Sequence, residues 1–138
     1  MAAILVDTGI LYAAADTDDA WHESVKIFLQ NITDTLVVPI TVLPEICYLM
    51  NNHLGQEAER KLMASIIQGE LRIEGLTSED FRRSLQLLET YSDLNIGFVD
   101  ASLVAIAERL KIDRILTTDR KHFSIIRPRH CQTFDLLP

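Results

Sequence analysis

The stretch Ala3-Ile4-Leu5-Val6-Asp7, near the start of the chain, decides the fold. Its four apolar residues are too few for a helix, and they fit a short strand buried on both faces, as in a parallel sheet. Similar runs predict strands at residues 36–38, 71–73 and 115–118, with a last strand at 132–134. The segments between them carry apolar residues at helical spacing. This alternation predicts an α/β protein, a three-layer α/β/α sandwich with a central, mostly parallel sheet.

Two of the predicted helices have clear beginnings. Thr77 and Asp80 have the spacing of a capping box, and Phe81, Leu85 and Leu88 form the apolar stripe of the helix that follows. Thr41 is placed to cap an earlier helix. Both helices are therefore expected to pack an apolar face against the sheet.

Size and composition are those of one ordinary domain, so we treat residues 1–138 as a single unit. Of the 138 residues, 48% are hydrophobic and 24% are charged, and no linker or repeat interrupts them. Two cysteines form neither a disulfide framework nor a four-ligand zinc site. No apolar run reaches the roughly 18 residues of a membrane span, and the N-terminus has no basic signal region. A reducing, cytoplasmic setting without membrane contact is the expectation.

The net charge of −7 argues against a general nucleic-acid coat. The charge is uneven, however, because residues 114–130 contain five basic residues and one acid. We call residues 120–129 the basic flank. It is either a solvated segment or an RNA-backbone contact made by its four basic side chains, Arg120, Lys121, Arg127 and Arg129.

Four acids stand where an α/β site is expected, although each also has an ordinary structural interpretation. Asp7 and Asp119 directly follow predicted strands, and ligands of such sheets bind beyond the carboxyl ends of the strands. Asp7 and Asp100 also have the sequence context of helix N-caps, and Asp119 that of a turn residue. Glu45, near the start of a helix, is an ordinary surface residue when considered alone.

Taken together, the acids and their surroundings match a family. The order is an apolar strand with Asp-Thr, then Pro-Ile-Thr-Val-Leu-Pro-Glu, then Phe-Val-Asp-Ala-Ser, then Ile-Leu-Thr-Thr-Asp-Arg-Lys-His-Phe. It resembles the PIN-domain nucleases, and most of all the VapC-type toxins of bacterial toxin–antitoxin pairs. The resemblance covers essentially the whole chain. It implies a PIN-like fold in which four acids meet at one end of the sheet and hold Mg²⁺ or Mn²⁺ for RNA cleavage.

The resemblance also assigns the site residues. The catalytic and metal-binding acids are Asp7, Glu45, Asp100 and Asp119, and the secondary positions are Thr8, Asp93 and Thr118. Carboxylate ligands suit Mg²⁺, with Mn²⁺ as a substitute. Without the metal, the clustered charges are expected to raise at least one carboxyl pKa. The scheme needs no histidine, so we interpret all four histidines as surface or packing residues.

The function this predicts is a metal-dependent endoribonuclease that cleaves cellular RNA as the toxin of a toxin–antitoxin module. The expected partners are an RNA substrate, a second copy of the chain and a small antitoxin laid across the apolar helical region of residues 43–67. That region equally fits core packing or a homodimer interface. A PIN-like RNA-processing nuclease and a protein-binding module with a structural metal remain alternatives. A hydrolase of small phosphate esters lacks support, because no Asp-x-Asp follows the first strand.

Overall fold

A parallel sheet of five strands forms the centre of the computed structural model, which describes residues 2–138. The strands are β1 (Ala3–Val6), β2 (Thr35–Pro39), β3 (Arg72–Glu74), β4 (Arg114–Leu116) and β5 (Asp135–Leu137). Their order across the sheet is β3-β2-β1-β4-β5, and every neighbouring pair is parallel. The predicted sheet is confirmed.

Helices cover both faces of this sheet and give it three layers. They are α1 (Thr8–Ala15), α2 (His22–Gln30), α3 (Val42–His53), α4 (Gln56–Ile67), α5 (Ser78–Thr90), α6 (Phe98–Leu110) and α7 (Arg120–Ile125). Successive residues of β1 point to opposite faces, so Ile4 and Val6 join the core formed with α1 to α4. Leu5 joins the other core, which contains α6 and buried residues of α5 and α7. The α/β/α sandwich is therefore confirmed.

The C-terminal part of the chain differs from the expectation. The last strand begins at Asp135 rather than at residue 132, because Phe134 is buried against Phe123 in the core just before the strand. The short helix α7 lies inside the basic flank, where no helix was expected. Its N-cap is Asp119, whose side chain accepts from the backbone amide of His122 at 3.1 Å.

Helix α5 is rotated relative to its apolar stripe. The capping box is present, since Thr77 and Asp80 bond each other's backbone amides. However, Asp80, Ser84 and Leu87 face the interior, while Phe81 and Leu85 are 55% and 59% exposed. Asp80 is turned inward by its ion pair with Arg109 of α6. The stripe interpretation was therefore wrong for Phe81 and Leu85.

The helices of residues 2–138 include none with both the length and the apolar character needed to cross a bilayer.

Candidate active site

The site lies at the carboxyl ends of the two neighbouring strands β1 and β4. Val6 and Leu116 are paired across the strands, and the Asp7 backbone amide donates to the Leu116 carbonyl at 3.0 Å. The residues that follow each strand are therefore held side by side. This register brings Asp7 next to the turn of residues 117–119.

Asp7 caps α1 and also faces this turn. One of its carboxylate oxygens accepts from the Thr8 amide at 2.8 Å, and the other accepts from the Thr117 hydroxyl at 2.9 Å. Only 8% of Asp7 is exposed. Burial raises the pKa of the Asp7 carboxyl, the hydrogen bonds from Thr8 and Thr117 oppose the increase, and the charges of Asp119 and Glu45 add to it. The N-cap interpretation of Asp7 is correct and is compatible with a place in the site.

Thr117 connects the two strand ends through its hydroxyl. While its hydroxyl donates to Asp7, the same oxygen accepts from the Asp119 amide at 2.9 Å. The family resemblance assigned a secondary role to Thr118 rather than to Thr117. The Thr118 hydroxyl faces Gly9, where a Cβ would lie 2.5 Å from the Thr118 Oγ1. A side chain at Gly9 would therefore force the Thr118 hydroxyl to move.

Asp100 reaches the same place from the first turn of α6. Carboxylate oxygens of Asp100 and Asp119 and a ring nitrogen of His122 all lie within 4.8 Å of one another. The pKa of Asp100 is raised to about 6, first by burial and then by the charges of Asp7 and Asp119, with His122 acting in the opposite direction. The expected increase of a carboxyl pKa is thus present, although burial contributes more than repulsion does.

His122, which the sequence led us to interpret as a surface or packing residue, lies beside these two acids. Its Nδ1 lies 2.8 Å from an Asp119 carboxylate oxygen, while its backbone amide bonds the other oxygen. The spacing Asp-x-x-His could have suggested this contact, because residues three apart lie on the same side of a helical turn.

Glu45 lies in the first turn of α3, with its side chain exposed. Its charge contributes to the raised pKa of Asp7, which places it within electrostatic range of the group. We had expected Thr41 to cap α3, but its side chain makes no capping hydrogen bond. Its hydroxyl instead meets the Ser102 hydroxyl at 2.7 Å, and Ser102 donates to the Val99 carbonyl of α6 at 2.7 Å. This contact ties the helix of Glu45 to the helix of Asp100.

Asp93 stands apart from this arrangement. It is exposed in a single turn of 3-10 helix, Ser92–Leu94, and its charge is not among those that shift the pKa of Asp7 or Asp100.

The donor set fits a hard divalent cation. Asp7 and Asp100 take part in no salt bridge with another residue of the described chain, 2–138. Beside them, the hydroxyl oxygen of Thr8 is buried and has no hydrogen-bond partner within residues 2–138. Clustered carboxylates that no arginine or lysine pairs within residues 2–138, with an unsatisfied oxygen nearby, match the oxygen ligands that Mg²⁺ and Mn²⁺ take.

Three of the four basic side chains of the flank are hydrogen-bonded within the chain. Arg120 donates to the Pro138 carbonyl and lies over the Trp21 ring, 5.9 Å from its centroid. The Arg127 side chain donates to the Ser124 carbonyl. Arg129 bonds Gln86 with its side chain and the carboxylate of Glu108, near the end of α6, with its backbone amide. Lys121 is exposed in the first turn of α7, next to Asp119.

Comparison with known proteins gives this arrangement a family. Residues 4–127 match the family model described as PIN domain. The chain belongs to the PIN domain family. Ribonuclease VapC26 of Mycobacterium tuberculosis is 30% identical over 135 residues, which are 98% of this chain and 100% of that protein.

Solved structures of PIN proteins agree with the fold. The Mycobacterium tuberculosis VapC20 toxin, described as cleaving the sarcin-ricin loop, has a TM-score of 0.79 at 24% identity, covering 86% of this chain and 91% of its own. VapBC2 of Rickettsia felis, solved with a promoter DNA fragment, has a TM-score of 0.69 at 18% identity over 99% of both chains. The family and the PIN-like fold implied by the sequence are confirmed.

Proposed function

We propose that this PIN protein is a divalent-metal-dependent endoribonuclease and the toxin of a toxin–antitoxin module. The observation that carries the proposal is the convergence of Asp7, Asp100 and Asp119 at one edge of the sheet with no arginine or lysine to balance them within residues 2–138. The near full-length relative Ribonuclease VapC26 supports the reaction class.

In this proposal, Asp7, Asp100 and Asp119 hold Mg²⁺, or Mn²⁺ as a substitute, with Glu45 at the margin of the group. A bound divalent cation supplies positive charge against the phosphodiester and activates water for attack. The protein contributes position: Thr117 fixes Asp7 relative to Asp119, and the contact between Thr41 and Ser102 fixes α3 relative to α6. The unpartnered hydroxyl of Thr8 provides a further oxygen beside Asp7.

The RNA backbone is expected to approach along α7. Lys121 lies next to Asp119 and is exposed, so its ammonium group can meet a phosphate there. Arg120 and Arg127 are further candidates after release from their present carbonyl partners. Arg129 is the least suited, because the Glu108 that holds it lies about 12 Å further along α6 than Asp100.

The first experiment is cleavage of total cellular RNA by the purified protein with Mg²⁺, with Mn²⁺ and with a chelator. Cleavage with either metal and none with the chelator is expected. Intact RNA under all three conditions would reject the nuclease and favour a protein-binding module. Expression in the bacterial cytoplasm, where we place the protein, separates a toxin from an RNA-processing nuclease: growth arrest relieved by the co-expressed antitoxin is expected of a toxin.

A groove of about 720 Å³ is the proposed site of the antitoxin. It runs between α1, α3 and α4, and its apolar walls include Leu11, Leu29, Met50, Leu54 and Leu62. Glu57 and Lys61 lie at the groove as a salt bridge with both side chains exposed. An apolar helix or extended segment from the antitoxin fits such a groove. Among the structural relatives is a toxin–antitoxin complex from Klebsiella pneumoniae, which supports a partner of this kind.

Hydrogen exchange with and without the co-expressed antitoxin tests this site. Protection of residues 43–67 is expected, and its absence would reject the groove.

We also propose a homodimer, for which the 84% exposed Ile67 and the 37% exposed Met63 on α4 are candidate contacts. Sedimentation of the wild type and of Ile67→Ser tests this: the dimer should be weakened by the substitution, and a monomeric wild type would reject it.

A further inference from the structure

Two phenylalanines on neighbouring helices form an exposed stack near the acids. The rings of Phe81, from α5, and Phe98, from α6, have centroids 5.8 Å apart and planes inclined by only 13°. Phe81 is 55% exposed and Phe98 is 42% exposed, and Leu85 on α5 is exposed as well. A flat aromatic surface of this kind is uncommon in water without a partner, because large exposed apolar patches usually mark interaction sites.

The fold does not use these rings for its core. The interior face of α5 is formed by Asp80, Ser84 and Leu87, and the ion pair of Asp80 with Arg109 holds the helix in that rotation. Phe81 and Leu85 are consequently directed away from the interior. The core therefore does not account for the ring of Phe81.

The stack is next to the acid group through α6. Phe98 is the first residue of that helix and Asp100 lies in its first turn, about 3 Å further along the axis. Residues two apart leave a helix in different directions. An RNA strand that crosses the start of α6 could therefore place a phosphodiester on the Asp100 side and a base on the Phe98 side.

We propose that Phe98, with Phe81 stacked against it, is the platform on which an unpaired base of the RNA substrate stacks beside the phosphodiester to be cleaved. This inference rests on the nuclease function proposed above and adds its substrate class, single-stranded or locally unpaired RNA. Stacking on aromatic rings is independent of charge and accepts any base. Such a contact suits a chain with net charge −7, in which attraction to the phosphate backbone is limited.

The test is fluorescence anisotropy in chelator, which prevents metal-dependent cleavage, with two labelled probes: a short oligoadenylate and an abasic ribose-phosphate chain of the same length. The wild type should bind the oligoadenylate about fivefold to a hundredfold more tightly. Phe98→Ala should remove most of this preference without changing affinity for the abasic chain or the salt dependence. Equal loss with both probes, or a preference that persists, would overturn the platform.

Three further variants separate stacking from other roles of the ring. Phe98→Trp should keep the preference for the oligoadenylate, whereas Phe98→Leu, which is apolar but not flat, should lose it. Ile27→Ala, at a 56% exposed residue of α2, is the control for removal of an exposed apolar side chain and should change neither affinity. Equal behaviour of the Trp and Leu variants would contradict stacking.

Sedimentation velocity tests the competing occupant, a second copy of the chain. Phe98→Ala should leave the oligomeric state unchanged, and a shift to smaller species would assign the ring to an interface between copies and overturn the proposal. The nuclease function is judged separately. If the wild-type protein cleaves RNA but does not distinguish the two probes, only the stacking proposal is rejected. If the protein distinguishes the probes but does not cleave RNA, the proposed nuclease function is rejected.

Discussion

The two ends of helix α6 differ in whether the acidic side chains there have arginine partners. At its beginning, Asp100 meets Asp7 and Asp119, and no arginine or lysine is paired with Asp7 or Asp100 within residues 2–138. At its end, Glu108 receives two hydrogen bonds from the Arg83 guanidinium, at 2.7 and 2.9 Å. Arg109 there binds the carboxylates of Asp80 and Glu74.

By this difference we distinguish structural acids from those that we propose to be functional. A buried carboxylate with a guanidinium partner holds two elements together, as Asp80 does between α5 and α6. Carboxylates that are buried together without a cationic partner oppose folding. The pKa of Asp100, raised to about 6 first by burial and then by the charges of Asp7 and Asp119, is the sign of that cost. Asp7 and Asp119 each cap a helix, but capping does not require their carboxylates to lie beside that of Asp100, and a divalent cation would account for this grouping.

The largest effect should come from removing one charge at the beginning of α6. We expect Asp7→Asn, Asp100→Asn and Asp119→Asn each to abolish RNA cleavage while circular dichroism remains unchanged. The double variant Asp100→Asn/Asp119→Asn should lose no more than either single variant, because the acids act as one unit. Glu79→Gln, at an exposed acid of α5, is the control. Wild-type rates in the single variants would reject the site.

A large effect on stability, but not on catalysis, should come from the other end of the helix. Arg109→Ala leaves Asp80, only 3% of whose side chain is exposed, without its cation. The free energy of unfolding should fall by about 3 kcal/mol, as for buried pairs that lose one partner. Arg82→Ala, which breaks an exposed pair with Glu79, should cost less than about 1 kcal/mol. Chemical denaturation measures both, and equal losses would remove the distinction between the pairs.

The pH dependence of the metal-free protein should also distinguish the two ends. The pKa values of Asp7 and Asp100 are raised above the ordinary 3.8, so the folded state binds more protons than the unfolded state, and for Asp100 this window runs from about pH 4 to about pH 6. These two acids therefore lower the free energy of unfolding as pH rises through that window, and the loss persists above it. Asp100→Asn should remove the part of this decrease in the free energy of unfolding that Asp100 causes.

Melting curves in chelator at pH 5 and pH 7 measure the effect. Relative to the wild type, Asp100→Asn should gain stability at pH 7 more than at pH 5. Parallel changes in the two proteins would mean that Asp100 carries no such cost.

The smallest effect concerns the basic flank. We expect Lys121, which lies next to Asp119, and Arg129, which is held by Glu108, to behave differently. Lys121→Ala should weaken RNA binding and reduce the salt slope by about 0.7, the value for one lost contact with a single strand. Arg129→Ala is the matched variant at the Glu108 end, and its slope should not change. Titrations of labelled RNA at several salt concentrations measure this, and equal slopes for Lys121→Ala and the wild type would exclude a phosphate contact.

The sequence predicted those features that depend on one strand and the residue after it. Buried strands followed by Asp7 and Asp119 placed both acids at the sheet edge, since parallel strands share that edge. Contacts decided by side-chain direction could not be predicted. The rotation of α5 depends on Arg109, the Thr117 bridge depends on the register of β1 with β4, and Thr41 meets a residue 61 positions away rather than its own helix.

The central claim is that the unpaired acids at the beginning of α6 hold a divalent cation. It is tested most directly by thermal unfolding of the wild type, Asp100→Asn and Arg109→Ala, in chelator and in Mn²⁺ at one hundred times its dissociation constant for the wild type. The metal should stabilise the wild type and Arg109→Ala by about 2.7 kcal/mol. Asp100→Asn should show much less of that gain. An equal gain in wild type and Asp100→Asn would contradict the account.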